Sequence, residues 1–269
     1  MIHAHSYHAL PSYYAAKNRG DTPLVFTPHY HGKGHTWFRS LLHIPYKLVG
    51  NAIFNEAKVI VAVSEWEQRL ILENFKLDGK DLEVIPNGIN NKEFTALKRV
   101  NKGRNILSVG RLEQYKGMQY LIKVLPKLND DVKLTIVGRG VYKNQLEKMI
   151  EEHNLGERIE MINYLDRPSL LQRYADADVF ALLSEDEAYG ITVAEALAAG
   201  TPCVVAEASA LSEWVDGISC LGVKLPIDIA TLRDRIGSLI GKRIKRDGIR
   251  DWDEVTARLL DLYRKNVSV

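Results

Sequence analysis

Between residues 105 and 206 short apolar runs recur with helical patterns between them, and this repeat limits the fold more than any other feature. Asn105–Val109, Lys133–Val137, Ile159–Ile162, Val179–Leu183 and Cys203–Ala206 are nearly continuous in apolar character, which predicts strands buried on both faces, as in a parallel sheet. Met118, Leu121, Ile122, Leu125 and Leu128 share one helical face, as do Leu146, Met149 and Ile150. A third helix, over 190–199, stops at Gly200 with Pro202 just beyond. Alternating strands and helices imply an α/β fold with a doubly wound parallel sheet, whose ligands sit at the carboxyl ends of the strands.

A similar but shorter pattern precedes it. Its candidate strands are Ile2–His5, Leu24–Pro28, Lys58–Val63 and Leu82–Ile85, with helical patterns over Ala9–Lys17 and Glu65–Phe75. Ser64 followed by Glu67 makes a capping box for the second of these helices. Pro86-Asn87-Gly88 signals a turn, and the polar stretch 90–103 places a domain boundary near residue 95. The first domain is then 1–95 and the second 96–245. A last helix over Trp252–Lys265, within 246–269, carries Trp252, Val255, Leu259, Leu262 and Tyr263 on one face and finds no partner in the second pattern. The first strand starts at Ile2, so a stable sheet there needs neighbours this sequence does not supply, and the first domain is expected to be incomplete. Its exposed sheet would favour self-association.

The charge balance, 36 Lys and Arg against 34 Asp and Glu, argues against a nucleic-acid partner. The two cysteines, Cys203 and Cys220, lie in apolar stretches without metal-ligand spacing and read as buried thiols in a reducing compartment. No apolar run reaches membrane-spanning length, and the N-terminal residues lack the basic start and apolar core of a signal peptide. A cytoplasmic location, with peripheral contact at the inner membrane face as an option, is the expectation. No Gly-x-Ser-x-Gly, Walker A loop or Cys-x-x-Cys occurs.

Two loops carry the residues best suited to chemistry. In Val109-Gly110-Arg111-Leu112-Glu113-Gln114-Tyr115-Lys116-Gly117 a strand ends at Gly110 and a helix begins near Gly117. Arg111 offers a planar fork and Lys116 a compact charge, both suited to phosphate oxygens above a helix N-terminus. Two solvated loop cations would read the same way. In the second loop, Ser184 to Ala196, Glu187 precedes the helix and could meet sugar hydroxyls, while the backbone N–H groups of Gly190–Val193 could meet sugar or phosphate oxygens. Glu195 lies inside an Ala-rich helix and needs a partner, because an unpaired buried carboxylate is costly. Vicinal ribose hydroxyls would serve, and so would a structural ion pair. Replacing Glu195 with Ala is expected to weaken nucleotide binding with little loss of stability.

His3 and His5 are expected on opposite faces of their strand, which makes a poor metal site. His29 and His31, with Gly32 and Gly34, occupy the next strand–loop junction. Residues 33–54, including Trp37, Phe38, Arg39, Tyr46, Lys47, Ile53 and Phe54, could lean on an anionic lipid surface or pack on the first sheet.

Together these segments resemble glycosyltransferase family 4, the retaining group with the GT-B fold of two Rossmann-like domains. The similar stretches run nearly end to end. Glu187 and Glu195, with seven residues between them and Ala188-Tyr189-Gly190-Ile191 inside, are similar to the family's Glu-x7-Glu motif, and Ala196-Leu197-Ala198-Ala199-Gly200-Thr201-Pro202 follows in kind. The resemblance implies a hexosyltransferase using a UDP- or GDP-sugar, without a metal or other cofactor, on a glycan, lipid-linked or small-molecule acceptor. It implies that Arg111 and Lys116 bind the donor diphosphate, Glu195 holds the ribose and Glu187 contacts the donor sugar. The donor set further includes Gly110, Gly138, Leu165, Tyr189, Gly190, Ile191 and Thr192. His5 matches the family's cleft histidine near donor sugar and acceptor, and His29 is an acceptor-side candidate. The last helix resembles the one that crosses back to the first domain. Members normally carry a longer stretch before the His-containing strand, so the first, acceptor-side domain is expected to be partial. Two other readings share this architecture: a sugar-nucleotide-binding module that turns nothing over, and an epimerase or phosphorylase, the latter wanting a lysine-bound pyridoxal phosphate for which no residue speaks.

Overall fold

The computed structural model describes residues 1–32, 49–101 and 103–267. The chain divides into two compact units, Met1–Gly88 with Arg250–Val269, and Ile89–Ile249. The first division falls at residue 88 and not near 95, and the second at 249 and not at 245. The reason is packing: Ile89 and Phe94 are buried in the core of the second unit.

In the first unit β1 (Ile2–His5), β2 (Leu24–Thr27), β3 (Val59–Ala62) and β4 (Asp81–Val84) form a parallel sheet in that order. Helix α1 (Leu10–Asn18) follows β1, the helical residues 49–56 (α2) precede β3, and α3 (Glu65–Asn74) follows it. Ser64 caps α3 as expected, its Oγ accepting from the Glu67 amide at 3.0 Å. The buried Glu67 carboxylate accepts from the amides of Val63, at 2.7 Å, and Tyr30, and burial pushes its pKa up to about 7.

The second unit begins with the short α4 (Lys92–Thr95). It continues β5 (Asn105–Val109), α5 (Met118–Val124), β6 (Lys133–Val137), α6 (Lys143–Glu152), β7 (Ile159–Ile162), α7 (Arg167–Asp176), β8 (Val179–Leu182), α8 (Ile191–Ala198), β9 (Cys203–Ala206), β10 (Cys220–Val223) and α9 (Ile229–Leu239). All six strands are parallel, in the order β10-β9-β8-β5-β6-β7. The chain builds outward from β5 to β7, returns to β8 on the other side of β5, and builds outward again. This reversal is the doubly wound arrangement, and it puts a topological switch point between β5 and β8. Leu107, Phe180 and Val204 are fully buried. Side chains of this size each contribute about 1.5–3 kcal/mol on burial. Cys203 and Cys220 are register partners in β9 and β10, both fully buried.

Helix α10 (Trp252–Val267) belongs to the first unit. Alternation along the strands explains why. Ala4, Leu24, Phe26, Ile60 and Ala62 pack on one side of the sheet with residues of α1, α2 and α3. Val25, Val59 and Val61 point to the other side, where Val255, Leu262 and Leu259 of α10 cover them. Ile53 and Phe54 are buried in the first of these cores, so for them the packing explanation holds. Residues 33–48 of the aromatic, basic stretch lie outside the described residues, with Trp37, Phe38, Arg39, Tyr46 and Lys47 among them. No helix of the described residues is long and apolar enough to cross a membrane.

Candidate functional site

At the switch point the loops after β5 and β8 leave adjacent strands and touch. The Glu185 amide donates to the Tyr115 carbonyl at 2.9 Å. A side chain at Gly117 would lie 2.2 Å from the Leu183 carbonyl oxygen, so glycine is what permits the approach. Across this seam Lys116 Nζ donates to Glu187 Oε1, and both side chains are largely buried, 11% and 18% exposed. Arg111 donates to Tyr115 Oη at 2.7 Å and pairs with Glu113 at 3.1 Å, its own side chain 63% exposed. Burial pushes the Tyr115 phenol up to about 12. It also raises the Asp186 carboxyl to about 7, with the neighbouring Glu187 charge adding to the shift and Lys116 opposing it. Two cations and a cluster of acids thus share one rim of the sheet.

Helix α8 opens onto the same rim. Gly190 takes a left-handed conformation (φ 92°) at its N-cap, and no side chain caps the first turn. Ile191 and Thr192 form that turn, whose amides and dipole favour negative charge. The Tyr189 ring meets Trp214 edge-on at 5.3 Å, and Trp214 Nε1 donates to the Tyr189 carbonyl at 2.6 Å. Gly138, at the end of β6, lies against Gly110, where an added side chain would come within 1.8 Å of the Gly110 carbonyl oxygen. Leu165 follows β7 and packs on the core from the same end of the sheet.

Glu195 is placed differently from Lys116 and Glu187. Its carboxylate, 11% exposed, accepts from Tyr174 Oη at 2.9 Å and from Arg167 Nη1 at 2.5 Å, and Arg167 also pairs with Glu93 at 2.6 Å. The partner that a buried carboxylate requires is therefore supplied by the protein itself. Arg167 and Tyr174 escape a sequence reading because they lie 28 and 21 residues away from Glu195. The one local signal is Asp166, which caps α7 by accepting from the Ser169 amide at 3.0 Å and so puts Arg167 on the first turn.

In the first unit His3 and His5 share a face of β1, correcting the expectation that they point opposite ways. Strand side chains repeat every two residues, so positions 3 and 5 must point together, and their rings lie 4.2 Å apart. His3 contacts Tyr263 Oη at 2.5 Å and Thr27 Oγ1 at 2.8 Å, while His5 Nδ1 faces His29 Nε2 at 3.4 Å. These histidines line a cavity of about 160 Å³ with Asn87, Trp252 and Leu259. Burial, then the neighbouring His5, holds His3 and His29 down at about 4, and burial lowers His5 as well.

Residues 90–247 match the family described as glycosyl transferases group 1, and residues 1–93 match glycosyltransferase family 4. An uncharacterized glycosyltransferase of Methanocaldococcus jannaschii is 30% identical over 236 residues, covering 78% of this chain and 60% of that protein. The chain thus spans three-fifths of that relative's length. Among solved structures, sucrose-phosphate synthase from Thermosynechococcus elongatus superposes with a TM-score of 0.80 at 21% identity, over 99% of this chain and 73% of that one. The Anabaena protein HepE in complex with UDP and glucose gives 0.76 at 19% identity, over 90% and 72%.

Proposed function

This chain is a member of the glycosyl transferases group 1 family, and from that membership we propose that it moves a hexosyl group, with retention, from a UDP- or GDP-sugar to a glycan, lipid or small-molecule acceptor. The observation that carries the reading is the Lys116–Glu187 pair, which ties together the two loops at the switch point of the second sheet. A doubly wound sheet binds its ligand there. Arg111, with its exposed fork, and Lys116 take the donor diphosphate, aided by the amides of Gly190, Ile191 and Thr192. Glu187 takes hydroxyls of the donor sugar, and Glu195 takes the ribose through the lone pairs that Arg167 and Tyr174 leave unused. Gly110, Gly138 and Leu165 border the base. His5 and His29 serve the acceptor.

The acceptor oxygen attacks the anomeric carbon on the side from which the nucleotide leaves. The bond from that carbon to the phosphate oxygen breaks, and that oxygen takes the acceptor's proton. Lys116, Arg111 and the α8 N-terminus stabilise the charge that develops on the diphosphate, and no metal has a part in this scheme. The reaction would take place in the cytoplasm or at the inner membrane face. The Anabaena neighbour's UDP makes UDP-sugars the first donors to test.

A thermal-shift panel of UDP-, GDP- and ADP-sugars, followed by assay of released nucleotide, tests the proposal. One donor class should raise Tm, by linkage, and be turned over. Stabilisation without turnover identifies a binding module, and no stabilisation by any donor overturns the reading.

A further inference from the structure

The acidic loop that carries Glu187 is held by a segment that the donor-site reading does not use, the turn Ser209–Trp214 after β9. Three hydrogen bonds join them. The Glu187 amide donates to Ser209 Oγ at 3.0 Å, the Ala210 amide donates to the Glu187 carbonyl at 3.2 Å, and the Trp214 indole donates to the Tyr189 carbonyl at 2.6 Å. Both backbone groups of Glu187 are thus fixed by one turn. Gly190, the next bend of the loop, packs on the same turn: a side chain there would come within 2.8 Å of Leu211 Cδ2 and 3.4 Å of Trp214 Nε1.

The turn is itself braced. Ser209 sits in the left-handed region at φ 49°, a costly conformation for a residue other than glycine. Arg246 donates to the Trp214 carbonyl at 2.6 Å, lies over the indole at 5.3 Å and pairs with Asp216 at 3.4 Å. A buried indole stacked by one cation and spending its single donor on a loop carbonyl does more than fill space. The strain at Ser209 places its hydroxyl at the one amide whose residue holds Lys116.

We propose that Ser209 and Trp214 are positioning residues of the donor side. They fix the backbone of Glu187–Gly190, and through it the Lys116 ammonium and the opening of α8. The inference rests on the donor-site reading above for its catalytic consequence but not for its structural one. Removing either contact lets the acidic loop shift, loosens the Lys116–Glu187 pair and misplaces both groups against the donor. A displacement of about 1 Å is enough to cost on the order of 100-fold in rate.

The test uses the full chain and three variants: Ser209→Gly, Trp214→Phe and Glu187→Gln. Amine acylation followed by peptide mass analysis reads the labelling rate of Lys116 against Lys148, whose side chain is 66% exposed. Labelling of Lys116 should rise about threefold or more in Ser209→Gly and Trp214→Phe, as in Glu187→Gln, because the pair opens locally. Ser209→Gly should change Tm little, since relief of the left-handed strain at φ 49° offsets the lost hydrogen bond to the Glu187 amide, so this variant separates positioning from folding if Trp214→Phe proves unstable. Nucleotide-sugar turnover, kcat/KM, should fall about 10–100-fold in both, the range for groups that orient a site from behind. Lys116 labelling that stays at the wild-type rate in Ser209→Gly and Trp214→Phe, while rising in Glu187→Gln, overturns the proposal and leaves the donor site standing. Turnover untouched by Glu187→Gln sinks the donor-site reading instead, and the labelling still decides this one.

Discussion

Replacing Glu195 with alanine separates the structural and ligand-binding parts of its role. The carboxylate accepts from Tyr174, whose side chain is fully buried, and from Arg167, whose side chain is 40% exposed and keeps Glu93. Truncation leaves the Tyr174 hydroxyl in the core without this acceptor, at a cost of about 1–3 kcal/mol. The Arg167 contact, partly solvated, adds only about 0.5 kcal/mol. The total, about 1.5–3.5 kcal/mol, exceeds the small loss that the sequence suggests. Urea unfolding should show a lower midpoint at unchanged slope. Adding Tyr174→Phe removes the orphaned donor, so the double variant should recover about 1–2 kcal/mol relative to additivity. Donor affinity should be reduced in Glu195→Ala and stay reduced in the double variant. A coupling energy within about 0.3 kcal/mol of zero would show that the hydrogen bond is not what holds Glu195, and the reasoning fails.

Other outcomes follow from the same geometry. Lys116→Met should lower kcat/KM for the donor by about 10²–10³, the scale for losing one preorganised charge partner, as read by nucleotide release; a loss under tenfold counts against its role. The pKa values of His3 and His29 are held at about 4, below the ordinary 6.5, so the stability they give is complete above about 6.5 and drains away as pH falls toward 4. Tm measured between pH 7 and 4 should therefore drop, and His29→Asn should flatten the drop. Gly138→Ala, which drives a methyl into the Gly110 carbonyl, should cost about 3 kcal/mol, whereas Gly156→Ala, with open space around it, should stay within about 0.5 kcal/mol; paired thermal melts decide this.

The strands of the second sheet were legible because β8 and β9 are buried throughout as unbroken apolar runs, and β5 and β6 are nearly so, each interrupted by one buried hydroxyl residue, Ser108 or Thr135. β10, Cys220–Val223, carries a glycine and follows a polar turn, so its four residues make no run that stands out. The cations of one loop and the acids of the other were legible as types suited to a sugar nucleotide. Their pairing was not, because Lys116 and Glu187 are 71 residues apart and meet only through the β5–β8 pairing. The same holds for Arg167 and Tyr174 around Glu195, and for Trp214 under Tyr189. The facing of His3 and His5 was open to a correct reading from the period of a strand alone.

On the proposed reading, the loops after β5 and β8 form one nucleotide-sugar site. Titration calorimetry of UDP and of GDP into the wild-type chain and into Lys116→Met tests it most directly. At least one nucleotide should bind the wild type, with affinity weakened about tenfold or more in the variant. Equal affinity in the two proteins, or no binding of either nucleotide to the wild type, contradicts it.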